Sequence, residues 1–371
     1  MIETKKISIW AITPGGLKIG EELLKSIPNS HFFISNKVSN LVDGSFAKTA
    51  SLFDSLSAMF QQEFNNYDAH ICIFSTGIAV RIAAPLIKSK LSDPAIVVID
   101  DRAIHAISLV SGHLGGANRL TIEVAKITGA APVITTATDI NQLPSIDMVA
   151  KDEHLIIENP EMIKEINMAF LKKEPIIVID PMNLITPHIP KELKLDKIQN
   201  SDRASVVCSD LNIYWSRVGG VSRETLTQNI WCCLEERTLI LRPLSLVVGM
   251  GCNRGTTKDE LAELLKCSFI EHNLSTNSIA AFATTSLKKD EHGLLELAKS
   301  FKKPIKFYDN DELNSVKTIK TPSKMVKKHI GVKSVCEAAA ILASHNGKLI
   351  VPKIKQGNAT LAVARIEPNF L

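Results

Sequence analysis

The chain has 371 residues, of which 45% are hydrophobic and 22% charged, and its formal net charge is +4. These values are ordinary for globular proteins and exclude extensive disorder, and at roughly 100–200 residues per domain the length predicts two or three domains. The small positive charge, carried by lysines and arginines spread along the chain, disfavours a nucleic-acid-binding protein and is compatible with a polyanionic small-molecule ligand.

The cellular compartment is predicted from apolar runs and cysteines. No apolar run approaches the ~20 residues that a membrane-spanning helix requires, and the stretch at 7–12 is too short for a signal-peptide core. The seven cysteines include no Cys-x-x-Cys pair, and the adjacent Cys232 and Cys233 are poorly placed to bond each other. We therefore expect a reduced, cytoplasmic protein that binds neither membranes nor nucleic acid.

Short β-branched runs alternate with amphipathic helical patterns, which is typical of an α/β fold with a mainly parallel sheet. For a first domain at 1–140, the pattern predicts strands at 7–12, 31–34, 70–74, 95–99 and 132–135. It predicts helices at 18–26, 51–65, 80–88 and 118–128. The last helix carries one apolar stripe, and Gly129 is suited to its left-handed cap.

The rest of the chain is predicted to form a small linking domain at 141–243 and a separate α/β domain at 244–371. In the linking domain a helix is expected at 160–172, with strands at 175–179, 204–208 and 238–241. In the last domain we predict strands at 246–248, 279–284 and 304–308, and helices at 257–265, 291–301 and 334–344. A β-hairpin that turns at 356–358 is expected to close the chain.

The segment 111–118, SGHLGGAN, is the most informative in the chain. It places His113 and three glycines directly before a helix. Glycines let a ligand approach the backbone and leave the first helix amides to hold negative charge, while a neighbouring histidine can act as a general base. The alternative is that the glycines only form a tight loop and that His113 caps or packs.

Other strands of the first domain also end in small or polar residues. Asp100 and Asp101 end strand 95–99, at the carboxyl edge where open α/β sheets usually bind ligands. An acid there could orient His113 or act as a base, although a solvated aspartate pair that starts a loop is equally compatible. The segments 76–81, TGIAVR, and 135–139, TTATD, follow two further strands. Four such strand ends together indicate a site more strongly than any single one.

A glycine-rich segment, GMGCNRG, lies between a predicted strand and helix of the last domain. It misses the G-x-G-x-x-G fingerprint of a nicotinamide-dependent oxidoreductase by one residue, so we favour a turn that presents backbone amides and Arg254 to an anion. Lys353, Lys355 and Asn358 lie around the closing hairpin, either as solubilising charges or as a clamp for carboxylates.

The remaining candidate groups have ordinary explanations. Glu337 lies on an otherwise apolar predicted helix and is interpreted as a solvated face charge rather than a carboxylate directed toward a site. No P-loop motif occurs, and no histidine or cysteine group has the spacing of zinc ligands. The sequence therefore predicts neither a bound metal nor a nucleotide.

Several of these stretches resemble the cobalt-precorrin-5A hydrolase family of anaerobic cobalamin biosynthesis. They are TGIAVRIAAPLI (76–87), DPAIVVIDD (93–101), SGHLGGANRL (111–120), PVITTATD (132–139), VGMGCNRGT (248–256) and VPKIKQGNATLAVAR (351–365). The resemblance covers about 70–150 and 246–367, and the middle region matches only in length and position. The chain departs from the family at Asn253, where a basic residue is usual, and at Ser286, where an acidic residue is usual.

The resemblance implies an enzyme that opens the ring A δ-lactone of cobalt-precorrin-5A and releases acetaldehyde, giving cobalt-precorrin-5B. From the residues themselves we assign, as hypotheses, His113 and Asp101 as catalytic residues, with the amides of residues 115–117 as oxyanion donors. Cobalt would arrive with the substrate, and no cofactor or protein metal would be needed. The expected substrate-binding residues are Thr76, Gly77, Arg81, Ser111, Gly112, Gly115, Gly116, Asn118, Thr136, Asp139, Gly251, Arg254, Gly255, Lys353, Lys355 and Asn358.

The predicted site lies in a cleft between the first and last domains, where large ligands are often held. Transient contact with neighbouring pathway enzymes is expected. A non-catalytic tetrapyrrole carrier or partner subunit is the main alternative, because a carrier would keep the same anion-binding glycines. A nicotinamide-dependent oxidoreductase is the weaker alternative.

Overall fold

The computed structural model describes residues 5–41, 50–89, 92–195, 204–212, 237–322 and 334–371. The chain divides into two compact units, residues 1–148 and 149–371. The first unit contains one seven-stranded sheet, and the second contains two five-stranded sheets. The three-domain boundaries predicted at 140 and 243 stay a prediction. No helix in the described ranges is long and apolar enough to cross a membrane.

The first sheet has the order β3-β2-β1-β4-β5-β6-β7. Its strands are β1 Ile7–Ala11, β2 Ser30–Ser35, β3 Ser51–Phe53, β4 Ala69–Ile73, β5 Ala95–Ile99, β6 His105–Val110 and β7 Ala131–Val133. The strands β1 to β5 are mutually parallel. Every residue of β1, β4 and β5 is buried, as expected for a sheet with helices on both faces.

Helices cover both faces of this sheet. They are α1 Pro14–Ser26, α2 Leu56–Glu63, α3 Thr76–Ala83 and α4 Ala117–Thr128, and two short helices follow along the chain, α5 Ala137–Ile140 and α6 Ile146–Asp152. The apolar side of α4 packs Leu120 and Val124 on one face, while Phe60 of α2 belongs to an aromatic cluster on the other face. Gly129 ends α4 with a φ of 74°, which confirms the predicted left-handed cap.

Several elements of the first unit differ from the sequence prediction, and the helix predicted at 80–88 is α3 at Thr76–Ala83. The helix predicted at 51–65 is instead strand β3 followed by α2, because Ser55 caps α2 by accepting a hydrogen bond from the amide of Ala58. Strand β6 was not predicted, and most of its residues are only partly buried, which weakens the apolar pattern.

Strand β6 has a topological consequence. It runs antiparallel to β5, with Val110 paired to Ile96, and β7 runs parallel to β6. The carboxyl ends of β6 and β7 therefore lie at the edge of the sheet where β5 begins. The carboxyl ends of β4 and β5 lie at the opposite edge. The polar strand ends predicted to form one site are divided between two edges.

The first sheet of the second unit has the order β10-β9-β11-β12-β8. Its strands are β8 Ile156–Ile157, β9 Ile176–Ile179, β10 Lys194–Leu195, β11 Ser205–Cys208 and β12 Thr238–Arg242, with helix α7 at Ile163–Leu171. Only β8 is antiparallel to its neighbour. The guanidinium of Arg242 is buried, pairs with Glu158 and donates to the carbonyl of Leu211 at 2.6 Å.

The last sheet has the order β15-β14-β13-β17-β16. Its strands are β13 Leu246–Cys252, β14 Ile279–Thr285, β15 Ile305–Tyr308, β16 Lys348–Gln356 and β17 Ala359–Arg365. Its helices are α8 Lys258–Glu271, α9 His292–Ser300, α10 Asn310–Ser315 and α11 Val335–Ala343. Strands β16 and β17 form the closing hairpin that the sequence predicts. A Cβ added to Gly249 would lie 1.9 Å from the carbonyl oxygen of Cys336, so only glycine permits this approach of α11 to β13.

Candidate active site

His113 lies in the loop between β6 and α4, at the centre of a polar cluster. Its Nε2 is 3.0 Å from Oδ2 of Asp139 and 3.1 Å from Oγ1 of Thr138. Its Nδ1 is 3.2 Å from Oγ of Ser145 and 3.6 Å from Oδ2 of Asp147. The imidazole is 19% exposed and thus has a carboxylate near each nitrogen. We call His113, Thr138, Asp139, Ser145 and Asp147 the His113 cluster.

Asn118 links this cluster to strand β6. Its Oδ1 accepts a hydrogen bond of 2.6 Å from Ser108 on β6, which fixes the orientation of the amide. Its Nδ2 then donates to Oδ2 of Asp139 at 2.9 Å and to Oγ1 of Thr136 at 3.1 Å. A Cβ on Gly112 would lie 2.7 Å from Oδ1 of Asn118, so Gly112 makes room for this amide. Asn118 was predicted to bind substrate, but its buried side chain supports Asp139 instead.

The glycine loop closes on itself before α4 begins. The amide of Ala117 donates to the carbonyl of Ser111 at 3.1 Å, and the amide of Asn118 donates to the carbonyl of Gly112 at 3.0 Å. Gly116 adopts a φ of 91° to make this turn. The prediction of Ala117 as an oxyanion donor is therefore wrong in this conformation, because its hydrogen is already bound. Gly115 and Gly116 stay candidate donors.

Two further groups lie against this loop. Lys5 donates from Nζ to the carbonyl of Gly115 at 2.6 Å. The buried Oγ of Ser111 has no hydrogen-bond partner among the described residues, and Ser111 itself has a φ of 57°. A buried hydroxyl without a partner is uncommon in folded proteins. Ser111 and Gly115 therefore stay candidates for contact with a ligand.

Asp101 lies at the opposite edge of the sheet and caps helix α1. Its carboxylate accepts hydrogen bonds from the hydroxyl of Thr13 and, at 3.0 Å, from the amide of Gly16. The acids that contact His113 are Asp139 and Asp147, so the prediction that Asp101 orients His113 is wrong. Sequence reasoning missed Ser145 and Asp147, which precede and begin the short helix α6 and resemble an ordinary helix start.

Asp100, beside Asp101, holds its own loop. Its carboxylate accepts hydrogen bonds from the amides of Arg102, Ile104 and His105. Burial alone would raise the pKa of Asp100, but these three amides outweigh it and the pKa lies below its usual value. The alternative in which this aspartate starts a loop is therefore the better description of Asp100.

Thr76, Gly77 and Arg81 lie on α3, which follows β4. They are at the carboxyl edge of the parallel strands and not at the edge that carries the His113 cluster. The side chain of Arg81 is exposed, and a Cβ on Gly77 would meet nothing within 4 Å. These residues are available to a ligand, but at a different edge of the sheet from His113.

Predicted binding residues of the last sheet are brought together at the carboxyl end of β13. The hydroxyl of Thr360 donates to the carbonyl of Gly251 at 3.1 Å. Asn358, in the hairpin turn, accepts at its carbonyl from the amide of Asn253 at 2.9 Å. Its own amide donates to Glu260 at 2.7 Å. Gly249 and Gly251 belong to the strand itself, so they do not form the phosphate-binding turn that a nicotinamide site would need.

Two positive charges at this edge, those of Arg254 and Lys288, pair with acids of the chain. Arg254 donates to Oδ1 of Asp290 at 2.6 Å, and this hydrogen bond raises the pKa of Arg254. The buried Glu291 accepts from the amide of Gly255 at 2.8 Å and from Lys288 at 2.9 Å. Burial would raise the pKa of Glu291, but Lys288 and Gly255 outweigh it and the pKa is lowered.

Glu337 is completely buried, so its interpretation as a solvated charge is wrong. Its carboxylate accepts hydrogen bonds from the amides of Lys353, Lys320 and Thr321 at 3.0, 2.9 and 3.1 Å, and from the hydroxyl of Thr321 at 2.7 Å. Burial alone would raise the pKa of Glu337, but these donors more than offset it and the pKa is lowered. Glu337 thus connects α11 to strand β16 and to the segment before residue 323.

The His113 cluster defines the class of protein. An imidazole with a carboxylate at each nitrogen is an arrangement suited to general acid–base chemistry, as in a hydrolase. In the described ranges, no group of three or more histidine, cysteine or acidic side chains has a geometry that could hold a metal ion.

Comparison with known proteins identifies the family. Three family models match the chain: "Cobalamin synthesis G N-terminal" at 58–139, "Cobalamin biosynthesis central region" at 144–215 and "Cobalamin synthesis G C-terminus" at 246–364. The cobalt-precorrin-5A hydrolase of Priestia megaterium is 34% identical over 97% of this chain and 94% of its own. The enzyme of the same name from Salmonella typhimurium strain LT2 is 32% identical over 98% of both chains. The chain belongs to the cobalt-precorrin-5A hydrolase family.

A solved structure was also found by similarity. The crystal structure of a cobalamin biosynthesis protein G homolog from Sulfolobus solfataricus shares 25% identity with this chain and covers 99% of both chains, with a TM-score of 0.36.

Proposed function

We propose that this chain hydrolyses the ring A δ-lactone of cobalt-precorrin-5A and then releases acetaldehyde to give cobalt-precorrin-5B. The observation that carries the proposal is the His113 cluster, in which a carboxylate lies near each nitrogen of one imidazole. Membership of the family supplies the substrate, and the cluster supplies the proton transfers that both steps require.

The first step is hydrolysis of an ester. The oxygen of a water molecule bonds to the lactone carbonyl carbon while a base takes its proton. The ring C–O bond then breaks, and the leaving oxygen receives a proton, which gives a carboxylic acid and a secondary alcohol. The amides of Gly115 and Gly116, two and three residues after His113 in the glycine loop, are proposed to stabilise the tetrahedral oxyanion.

The second step is a retro-aldol cleavage. The alcohol loses its O–H proton to a base, a C=O bond forms, and the adjacent C–C bond breaks to release acetaldehyde. The electron pair of that bond passes to the cobalt-bearing macrocycle, which arrives as part of the substrate. No resident cofactor enters this scheme. One cluster of proton-accepting groups can serve both steps if the alcohol stays bound after the lactone opens.

The carboxylates of the macrocycle require positive partners, and four basic residues are proposed for this role. Lys355 and Arg81 have exposed side chains, and Lys353 is partly exposed. Arg254 is held by Asp290, so a substrate carboxylate would have to displace that aspartate. The shared cleft between the first and last domains, the cytoplasmic location and contact with neighbouring pathway enzymes stay predictions.

The test is incubation of the purified chain with cobalt-precorrin-5A, with trapping of the volatile aldehyde. We expect stoichiometric acetaldehyde from the wild type, and loss of it in His113→Ala with tetrapyrrole binding largely retained. Binding without any acetaldehyde from the wild type would instead identify a carrier. An unchanged rate in His113→Ala would remove His113 from the mechanism.

A further inference from the structure

The two oxygens of Asp139 have different surroundings. Oδ2 accepts hydrogen bonds from Nε2 of His113 at 3.0 Å and from Nδ2 of Asn118 at 2.9 Å. No described residue donates a hydrogen bond to Oδ1. The Asp139 side chain is 42% exposed, whereas that of Asp147, on the other side of the imidazole, is 7% exposed. Asp139 is therefore fixed through one oxygen and accessible through the other.

Both ring nitrogens of His113 already have polar partners within the cluster. Nε2 lies 3.0 Å from Oδ2 of Asp139 and 3.1 Å from the hydroxyl oxygen of Thr138. Nδ1 lies 3.2 Å from the hydroxyl oxygen of Ser145, and that hydroxyl donates to Oδ1 of Asp147. The imidazole is therefore engaged on both sides, whereas Oδ1 of Asp139 is the acceptor left open to a ligand.

We propose that Asp139, and not His113, accepts the proton of the hydrolytic water, and that His113 is a positioning residue. This inference rests on the proposed function. The water oxygen bonds to the lactone carbonyl carbon as the water proton passes to Oδ1 of Asp139. When the ring C–O bond breaks, that proton passes to the leaving oxygen, and the carboxylate is regenerated. Atoms and charge therefore balance without another reactant.

The same oxygen serves the second step. The O–H proton of the freed alcohol passes to Oδ1 of Asp139 while the C–C bond breaks, its electron pair passes to the macrocycle, and acetaldehyde forms. The proton then leaves Asp139 for solvent, which regenerates the carboxylate. The contacts of Oδ2 with Nε2 of His113 and with the amide of Asn118 hold the carboxylate in one orientation between transfers. His113, Asn118 and Ser108 thus act through Asp139, and their contribution is to hold it.

The discriminating experiment compares Asp139→Asn with His113→Gln in the full-length chain, with Asp152→Asn, an exposed carboxylate, as the control. We expect acetaldehyde release to fall about 10²–10⁴-fold in Asp139→Asn, the usual range for loss of a general base, with an unchanged KM and unfolding midpoint. His113→Gln can place an amide N–H where Nε2 of His113 contacts Asp139, and it is expected to lose only about tenfold. A His113→Gln rate as low as that of Asp139→Asn overturns the proposal.

Chemical rescue gives a second measurement, the rate restored by an added carboxylate. No such restoration is expected if Asp139 has only a structural role. Asp139→Gly opens space at an exposed position for a small carboxylate, so added formate should restore part of the rate in a saturable manner. Chloride at equal ionic strength should restore none. Circular dichroism checks that the variant is folded, and absence of formate rescue in a folded variant counts against the proposal.

Failure of this inference and failure of the proposed function give different results. A wild type that releases no acetaldehyde overturns the proposed function and the inference with it. An active wild type with a comparably active Asp139→Asn variant overturns only the assignment of Asp139. An active wild type, an Asp139→Asn variant slowed at least 10²-fold and a His113→Gln variant slowed only about tenfold support both.

Discussion

At the edge of the first sheet, Asp139 keeps one carboxylate oxygen without a described partner, whereas at the edge of the last sheet Glu291 and Glu337 are buried and bound through several donors. Both regions place acids at junctions between loops and helices. In the first, a histidine and an asparagine fix the acid from one side only. In the second, the acid accepts hydrogen bonds from the backbone of neighbouring segments. The first arrangement leaves one carboxylate oxygen open to react, whereas the second uses carboxylates to fix the positions of neighbouring loops.

The largest effect on folding is expected at Glu337, the most completely bound acid of the last sheet. Glu337→Ala should lower the free energy of unfolding by about 3–5 kcal/mol, because four donors lose a charged acceptor. Urea unfolding measures this loss. Glu296→Ala, on the exposed side of α9, is the matched control and should change stability little. A loss at Glu337 no larger than that of the control would show that it is not a structural acid.

The next prediction concerns how the free energy of unfolding depends on pH, because the core of the first sheet contains a buried histidine. His70 is buried on β4, where its Nδ1 lies 2.6 Å from the hydroxyl oxygen of Ser8. Burial lowers the pKa of His70 to about 4. The unfolded chain takes up this proton near pH 6.5, so stability should fall by about 3 kcal/mol as the pH drops from 6.5 to 4. His70→Gln should remove this slope, whatever its effect on absolute stability, and the exposed His292→Gln should not.

The acids of the last sheet should respond at lower pH. The pKa of Glu337 and that of Glu291 are lowered, so their stabilisation is complete above the ordinary glutamate value and is lost only as the pH falls through the folded values. Burial also lowers the pKa of His31, so the comparison uses a background with both His31→Gln and His70→Gln, in which the remaining acid sensitivity should begin below about pH 4.5. Unfolding measured across pH 3–6 in that background gives the comparison, and a slope that persists above pH 5 would contradict it.

A smaller effect on catalysis is expected from substitution of Asp147, the buried acid of the His113 cluster. Asp147→Asn keeps the volume of the side chain but weakens the acceptor near Nδ1, and acetaldehyde release should fall about 10–100-fold, equivalent to about 1.4–2.7 kcal/mol. The fall should appear in kcat, with KM unchanged, because Asp147 is buried away from a ligand. A change in KM alone would place Asp147 in substrate binding instead.

The smallest effect concerns the exposed pair of the last sheet. If Arg254 binds a substrate carboxylate, Asp290 competes with that carboxylate, so Asp290→Asn should lower KM a few-fold and leave kcat unchanged. Arg254→Ala should raise KM. Neither should shift the unfolding midpoint measurably, since exposed ion pairs contribute little to stability. An unchanged KM in both variants would remove Arg254 from the binding residues.

Local patterns were sufficient where burial makes them strong. The strands β1, β4 and β5 are apolar throughout because both faces are covered, and α4 has a single apolar stripe that ends at Gly129. Such elements were predicted to within one or two residues. Strand β6 is only partly buried, and its pattern was too weak to be recognised.

The site shows the same division between local and distant information. The segment that carries His113 stood out from its own residues, because a histidine beside three glycines before a helix is uncommon. Its partners did not: Ser145 is 32 residues away, and nothing local connects it to His113. Asp101 was chosen as the acid because it follows a strand, and the antiparallel direction of β6 places it at the other edge.

The sequence by itself determined the α/β class, the family, and the loop that carries His113, because apolar periodicity and glycine-rich turns act over a few residues. Only the tertiary structure decided which acid meets His113, that Asn118 holds Asp139, and that Glu337 is buried. Those contacts depend on the direction of one strand and on hydrogen bonds between distant segments, and these are properties of the folded chain as a whole.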